Sequence, residues 1–485
     1  MNENQTPQIE RALMRYCRDM RGYGQNPPSP NWPGGAHVAV QVVLNYEEGG
    51  ENCILHGDGA SEAFLSEIPG ATPWPGQRHW NMESVYEYGA RAGFWRLHRL
   101  FTELSVPVTI YGVATALMRA PEQLRAMQDA GWEIASHGYK WVEHKDMPPE
   151  VERAQIEEAI RLHTLATGER PRGWYTGRCS VNTVDLVSEA GGFDYISDTY
   201  DDDLPYWREH GERAQLIIPY TLEANDMRFG TPNGFNSGEQ FYTYLKDTFD
   251  TLYAEGAAGR PKMFSIGLHC RLIGRPGRVA ALTRFLEYVQ SHDKVWLARR
   301  IDIARHWARE HPYRKPALVP SRMDKAGFVA TFGGVMRSGR EIAERTWHGE
   351  LSPVNDSAYG LFFALRTQLR SLSADGRVDI LKCYSDLDGR IRTTRIVDDE
   401  SQSRRLDAMT ATQQAKLLGL IEAYDKKFGF GVVFAVRDYT TATLIDALER
   451  RVANDRQTEI IVASSELERL VQLQVEAVFE KYAAA

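Results

Sequence analysis

The sequence predicts an α/β protein: a distorted (β/α) barrel followed by a smaller, all-α domain. Short apolar segments rich in β-branched residues alternate with amphipathic segments over about 270 residues, as expected for parallel strands joined by right-handed crossovers. Beyond residue 323 the patterns are helical. A length of 485 residues suits two or three domains. We place domains at 1–310 and 323–485, with the proline-rich, basic segment 309–322 as linker.

The first predicted strand carries two carboxylates at its end. Val38 to Leu44 is almost entirely apolar, as in a strand buried on both faces of a parallel sheet. Glu47 and Glu48 follow it, before a glycine-rich loop. Adjacent carboxylates repel each other, so either one pKa rises, giving a general acid or base, or a cation or basic group holds both. The alternative for this pair alone is a solvated acidic loop.

The later predicted strands also end at polar residues. We expect strands at 106–113, 133–136, 173–175, 195–197, 216–219, 263–268 and 295–297, and helices at 84–104, 121–130, 148–167, 182–190 and 238–257. The polar residues at the strand ends are His137, Arg178, Asp198 and His269. Singly, each of them has an ordinary structural explanation. Because the carboxyl ends of barrel strands converge on one mouth, we expect the four residues to lie close to Glu47 and Glu48 there.

Composition excludes several classes of partner. A net charge of −8 and a pI near 6.0 argue against binding to nucleic acid or to an anionic membrane surface. The sequence has no apolar run of about 20 residues and no apolar signal core at its start. The five cysteines are scattered and form no CxxC pair. We therefore expect a cytoplasmic protein with no membrane span and no cysteine zinc site.

The region beyond residue 323 is predicted to be helical. We expect them at 328–347, 357–372, 440–454 and 465–482. One more helix opens with a capping box, in which Thr410 precedes Gln413 by three residues, and closes at Gly429.

Several long segments between residues 20 and 280 are distinctive, among them VLNYEEGGENCILHGD, MESVYEYGARAG, IASHGYKW, YTLEANDMRFG and LHCRLIGRPGR. On these segments the first domain resembles the metal-independent allantoinases of the polysaccharide deacetylase (NodB-like) superfamily. The resemblance implies a distorted (β/α) barrel of the polysaccharide deacetylase type, hydrolytic opening of the hydantoin ring of allantoin to allantoate, and a homotetramer.

The same resemblance assigns positions within the site. Asn45-Tyr46-Glu47-Glu48 stands where the wider superfamily has Thr-Phe-Asp-Asp, so Glu47 takes the catalytic base position and Glu48 that of a metal-ligand carboxylate. His137 takes the first position of the His-x-x-x-His metal pair, but the second is Trp141. A zinc site needs about three protein ligands, so we expect no cofactor. If a divalent metal such as zinc binds, Glu48 and His137 are its ligands; the spacing of His144 differs.

The second domain contains the segment FGFGVVFAVRDYTTATLIDALERRVAND. On this segment it resembles 2-oxo-4-hydroxy-4-carboxy-5-ureidoimidazoline (OHCU) decarboxylases. The catalytic His-Pro-x-Leu-x-Gly motif of that family begins here with Tyr384, whereas Glu400 and Arg437 match its acidic residue and its arginine. A tyrosine with a pKa near 10 is a poor proton shuttle at neutral pH. We therefore expect a vestigial, inactive decarboxylase domain.

Opening of a cyclic ureide needs an activated water, an acid for the leaving nitrogen and stabilisation of the oxyanion. We assign Glu47 as the base and His269 as the acid. Arg178 or His137 is the candidate for stabilising the oxyanion. Arg271 or Arg178 is the candidate for binding a ureido carbonyl. The substrate-binding set is completed by Asp198 and by two flat walls, Trp141 and Trp174.

Two other functions stay open. One keeps the fold and changes the substrate to another cyclic imide, hydantoin or purine-derived ring, or to an N-acetylated carbohydrate. The other is a non-enzymatic scaffold built from two lapsed enzyme domains. Retention of Glu47, Glu48, His137 and His269 argues against a scaffold, and the missing second metal histidine argues against a carbohydrate deacetylase.

Overall fold

The computed structural model describes residues 18–20, 22–210, 213–315, 318–384, 410–435 and 438–484. The chain divides into two compact units. The first comprises Tyr23–Tyr313, and the second contains Arg314–Ala485. The division lies within the segment 309–322 that the sequence marks as a linker. No helix among the described residues is long and apolar enough to cross a membrane.

The first unit is built on one curled sheet. Its strands pair in the order β6-β7-β5-β4-β3-β2-β1-β8, with β9 also on β1. All pairings are parallel except that of β6 with β7, which form an antiparallel hairpin. The strands are β1 (Val38–Tyr46), β2 (Val108–Gly112), β3 (Glu133–Ser136), β4 (Gly173–Trp174), β5 (Tyr195–Ile196), β6 (Tyr206–His210), β7 (Arg213–Ile217), β8 (Lys262–His269) and β9 (Val295–Leu297).

Helices cover the outer face of this sheet. A π-helical turn, Gly89–Gly93, joins the first two of them. The helices are α1 (Trp80–Tyr88), α2 (Phe94–Glu103), α3 (Ala114–Arg119), α4 (Pro121–Asp129), α5 (Pro149–Thr167), α6 (Thr183–Ala190), α7 (Gly238–Ala257), α8 (Pro276–Gln290) and α9 (Arg300–Glu310).

Strand β1 is buried along its whole length, as its apolar sequence predicts. Val38, Val40, Val42, Leu44 and Tyr46 pack in the larger core cluster with the helices. The alternate side chains face the inside of the curl. The strand therefore leads straight from the core to Glu47 at the carboxyl edge of the sheet.

A buried arginine fills part of the inside of the curl. Arg300, at the start of α9, is fully buried. Its guanidinium donates hydrogen bonds to groups on four parts of the sheet: the side chains of Gln41, Ser197 and Ser265 and the carbonyls of Ile218 and Pro219. These bonds tie the sheet together below the carboxyl edge.

The predicted fold class is confirmed, and several details differ. The strand ladder does not close, because β6 and β8 end it. The predicted strand 216–219 is the end of β7, which is paired with β6. The predicted helix 328–347 is two helices, separated by the segment 333–339 with its glycines.

The second unit is helical throughout the residues that the structure describes. Its core cluster includes Phe328, Phe332, Leu365, Tyr424 and Leu470. The helices are α10 (Lys325–Phe332), α11 (Arg340–His348), α12 (Ala358–Arg370), α13 (Ala374–Lys382), α14 (Ala411–Phe428), α15 (Thr441–Ala453) and α16 (Arg456–Ala484). The predicted capping box is present at Thr410, and Gly429 caps the other end of α14 in the left-handed region.

Candidate active site

The pairing of β1 with β8 brings the predicted acid and base together. Asn45 lies opposite His269 in the parallel ladder. Glu47 follows two residues later, and its Oε1 lies 3.4 Å from His269 Nε2. The same oxygen lies 3.4 Å from Nε2 of His137, which follows β3 directly. The structure therefore places Glu47 between the two histidines.

Arg271 completes the surroundings of Glu47. Its Nη1 lies 2.6 Å from Glu47 Oε2, and both side chains are at most 1% exposed. Burial favours the neutral form of Glu47, but Arg271, His269 and His137 outweigh it and hold the pKa of Glu47 well below its usual range. Glu47 is therefore ionised at neutral pH.

His269 is held by a carboxylate that the sequence analysis missed. Asp226 is fully buried and opens a short 3₁₀ turn, Asp226–Gly230. Its Oδ1 lies 2.6 Å from His269 Nδ1, and its Oδ2 accepts hydrogen bonds from the backbone N–H groups of His269 and Ile273. Burial disfavours the charged imidazole, but Glu47 and Asp226 raise the pKa of His269 to about 9. His269 is therefore protonated at neutral pH.

Glu48 shares the same guanidinium at a longer distance. Its Oε1 lies 3.9 Å from Arg271 Nη1, and its Oε2 accepts the backbone N–H of Glu47. Burial raises the pKa of Glu48 to about 7, with Arg271 opposing and Glu47 adding to the shift. The two adjacent carboxylates therefore differ in pKa, because one guanidinium lies much closer to Glu47.

The π-turn presses glycine backbone against the site. A methyl group at Gly89 would lie 2.3 Å from Glu48 Oε1, and one at Gly93 would lie 2.0 Å from the carbonyl oxygen of Cys270. Cys270 is the residue between His269 and Arg271. Because π-turns widen a helix locally and recur at functional sites, this one acts as the back wall of the carboxylate pair.

Trp141 lies between two guanidinium groups. Its ring centroid is 5.4 Å from Cζ of Arg271 and 4.9 Å from Cζ of Arg178. The ring also stacks on Phe64, with centroids 5.8 Å apart. Nη1 of Arg178 pairs with Glu62 at 3.3 Å. Trp141 thus lies against Arg271, and Arg178 lies on Trp141 with an acidic partner of its own.

Asp198 is held by backbone N–H groups close to His137, and Trp174 points away from the site. The carboxylate of Asp198 accepts the backbone N–H groups of Thr176 and Gly177, so it shapes the turn that carries Arg178. Burial raises the pKa of Asp198 to about 6. The prediction of Trp174 as a substrate wall is wrong, because its side chain faces the helices and packs in a separate core cluster.

Tyr175 takes the inward position that Trp174 was expected to hold. Neighbouring residues of a strand face opposite sides of the sheet. The ring of Tyr175 stacks on Tyr111 at 4.8 Å and lies 5.1 Å from the ring of His137. The aromatic wall beside His137 is therefore a pair of tyrosines.

A divalent metal, which the wider superfamily pattern implies, does not fit these residues. Within the described ranges, no group of three or more His, Cys, Asp or Glu side chains is placed to hold one. Trp141 stands in place of the second histidine. His144 belongs to another buried cluster, with its Nδ1 3.5 Å from Glu152 Oε1. The positive charge beside Glu47 and Glu48 comes instead from Arg271.

Tyr384 of the second unit is a core residue. It is 7% exposed, and its hydroxyl accepts the backbone N–H of Arg337. Burial raises the pKa of Tyr384 above its usual value. The other two residues expected in that domain's vestigial site, Glu400 and Arg437, lie outside the described residues.

Comparisons with known proteins match both units. The polysaccharide deacetylase family model matches residues 82–193, and the OHCU decarboxylase model matches residues 321–476. A putative polysaccharide deacetylase of Schizosaccharomyces pombe is 42% identical over 322 residues, which are 62% of this chain and all of that protein.

Solved structures also resemble the first unit, and two of them show high sequence identity to this chain. A probable polysaccharide deacetylase from Pseudomonas aeruginosa is 62% identical, covers 61% of this chain and 99% of its own, and has a TM-score of 0.60. A structure of Puue allantoinase is 59% identical, with the same coverage of each chain and a TM-score of 0.60.

Substitution of Gly89 by alanine tests the back wall. Gly89 has helical backbone angles, so alanine there is free of backbone strain. The added methyl group displaces the Glu48 carboxylate, and we expect Gly89→Ala to cost about 1–3 kcal/mol of stability and to lower kcat/KM at least about tenfold. Thermal unfolding and steady-state kinetics measure both effects.

Gly277→Ala is the matched control. A methyl group at Gly277, in α8, meets no atom within 4 Å. The double variant Glu48→Asp/Gly89→Ala restores the lost stability if the clash is with Glu48, because aspartate is shorter by one methylene. Equal stability and activity of Gly89→Ala and Gly277→Ala would refute this role.

Proposed function

The chain belongs to the polysaccharide deacetylase family, and from this premise we propose that its first unit is a hydrolase of cyclic ureides. The reaction is the conversion of allantoin to allantoate, by attack of an activated water on a ring amide. The observation that carries the proposal is the buried trio of Glu47, His269 and Asp226, which pairs an ionised base with a protonated acid. The 59% identity to the solved Puue allantoinase supports the choice of substrate.

The charge states suit hydrolysis at neutral pH. Glu47 takes a proton from water while the water oxygen bonds to the ring carbonyl carbon. The C–N bond then breaks, and the leaving nitrogen takes the proton from His269 Nε2. Asp226 holds the imidazole through Nδ1, so that Nε2 faces Glu47. Each group thus starts in the protonation state that its role needs.

Charge stabilisation is assigned to Arg271 and His137. The carbonyl oxygen becomes an oxyanion in the transition state, and preorganised donors in a buried site stabilise it strongly. Arg271 is fully buried beside Glu47. Nε2 of His137, at the end of β3, lies 3.4 Å from Oε1 of Glu47. Arg178 is the weaker candidate, since Glu62 already pairs with it.

We propose that the reaction uses no metal or other cofactor. The support is the misfit described above, in which Trp141 replaces a ligand and Arg271 supplies the cation. The same misfit disfavours a deacetylase of N-acetylated carbohydrate. Another hydantoin, imide or purine-derived ring is the remaining alternative substrate.

We make further proposals about the activity of the second unit, the oligomeric state and the cellular compartment. We propose that the OHCU decarboxylase-like unit is inactive as a decarboxylase, because Tyr384 is packed into a core where the family has its catalytic histidine. We also propose a cytoplasmic homo-oligomer, a tetramer. The four described cysteines are free thiols, as suits a reducing compartment.

Substitution of Glu47 by glutamine tests the base. The amide keeps the size of the side chain but cannot accept a proton, so we expect kcat for allantoin to fall about 10²–10⁴-fold. Release of allantoate by purified wild type and variant measures the change, with circular dichroism to confirm folding. The control is Glu158→Gln, a surface residue paired with Arg161. Full activity of Glu47→Gln would eliminate the assignment.

Substitution of Asp226 by asparagine tests the acid. The active form of His269 is the protonated one, so activity is lost as pH rises through the pKa of about 9. Removal of the Asp226 charge lowers that pKa, and we expect the alkaline limb of kcat/KM to move to lower pH. Asp250→Asn, at a partly exposed pair with Lys246, is the control. If the alkaline limb of the kcat/KM profile stayed at the same pH in Asp226→Asn, that result would contradict the role of His269.

A further inference from the structure

Tyr86 is a buried tyrosine beside the site that the mechanism above does not use. It lies on α1 and is 2% exposed. Its ring packs under Arg271, with the guanidinium Cζ 4.4 Å from the ring centroid. Its hydroxyl is buried and, within the described part of the chain, has no hydrogen-bond partner.

Polar atoms of Arg271 and Glu48 are also buried without hydrogen-bond partners in the part of the chain that the structure describes. Nε and Nη2 of Arg271 are buried without hydrogen-bond partners among the described residues, and so is Oε1 of Glu48. Buried polar atoms in native proteins are almost always paired, and an unpaired one is destabilising. Donors and an acceptor left unpaired at one place mark a position for a ligand that carries both kinds of group.

We infer that Tyr86 is a further catalytic residue, whose hydroxyl and the Arg271 guanidinium together bind the carbonyl oxygen of the amide under attack. The inference rests on the proposed hydrolase function and specifies its ligand class. Arg271 and Tyr86 take a carbonyl oxygen, and Glu48 Oε1 takes an N–H of the same ring. Cyclic ureides and imides carry both groups side by side.

The electron movement gives Tyr86 its part in the reaction. As the water oxygen bonds to the carbonyl carbon and Glu47 takes the proton, the pair of the C=O π bond moves onto the carbonyl oxygen. That oxyanion receives the O–H of Tyr86 and an N–H of Arg271. When the C–N bond breaks, the pair returns to the carbonyl and His269 protonates the leaving nitrogen. Tyr86 keeps its own proton throughout.

The surroundings of Tyr86 keep it a donor. Burial raises the pKa of its phenol well above the usual value, although Arg271 opposes the shift and Glu62 and Glu47 add to it. A neutral hydroxyl is therefore available at every pH at which Glu47 and His269 hold their active forms. One permanent cation and one neutral donor on one oxygen resemble the donor pairs of other acyl-transfer sites.

Tyr46 is the matched control that the chain offers. It is also fully buried, with a hydroxyl that has no hydrogen-bond partner among the described residues, but its ring packs edge-on against Phe94 at 5.8 Å. Burial raises the pKa of Tyr46 and the charges of Glu48 and Glu51 add to the shift, whereas Arg271 acts on Tyr86. Tyr46→Phe and Tyr86→Phe thus remove the same atom from two buried sites, and one of those sites contains Arg271.

The experiment compares allantoin kinetics and thermal unfolding of wild type, Tyr86→Phe and Tyr46→Phe. We expect Tyr86→Phe to lower kcat about 10²-fold, as loss of one oxyanion donor does. We expect no loss of stability, because the hydroxyl has no hydrogen-bond partner among the residues that the structure describes. We expect Tyr46→Phe to lower kcat by less than about tenfold, because its hydroxyl lies beside Glu48 rather than Arg271. A kcat of Tyr86→Phe within about twofold of wild type, or an equal loss in both variants, overturns the inference.

A second measurement separates this inference from the proposed function. If wild type does not hydrolyse allantoin, the substrate assignment fails, and hydantoin binding by calorimetry then tests Tyr86. Binding weakened at least about tenfold in Tyr86→Phe but not in Tyr46→Phe supports the inference. Equal binding by all three proteins, or no binding by wild type, overturns it.

Discussion

The ion pair between Glu47 and Arg271 is the interaction on which the site depends. A carboxylate and a guanidinium buried this deeply are each costly to desolvate, and each offsets the charge of the other at 2.6 Å. The pair keeps Glu47 ionised, leaves Glu48 as the more easily protonated neighbour, and places Arg271 under Trp141 and over Tyr86. Loss of either partner would leave an uncompensated charge.

The register of the β1–β8 pairing, rather than loop flexibility, positions Glu47 and Arg271. Parallel pairing sets Asn45 of β1 against His269 of β8, so Glu47 and Arg271, each two residues further, meet beyond the sheet. Parallel sheets bring the carboxyl ends of their strands to one edge, where α/β enzymes place their chemistry. The glycines of the π-turn then let helix backbone close the rear of the site.

Strand ends were the part of the site that the sequence could predict. Glu47, Glu48, His137 and His269 follow apolar segments directly, and the structure brings Glu47 to both histidines. Asp226 and Tyr86 follow no strand: they lie on a 3₁₀ turn and a helix, and only tertiary packing shows their partners, although both occur in segments that carry the family resemblance. Trp174 was misassigned because a two-residue strand gives no alternation from which to choose its inward side.

The measurement that tests the central claim most directly is allantoin hydrolysis by wild type after exhaustive treatment with chelator, with metal content determined on the same sample. Because Arg271 supplies the positive charge beside Glu47, the account predicts an unchanged kcat in protein that holds no stoichiometric metal. Loss of activity on chelation, with recovery on addition of zinc, would contradict it.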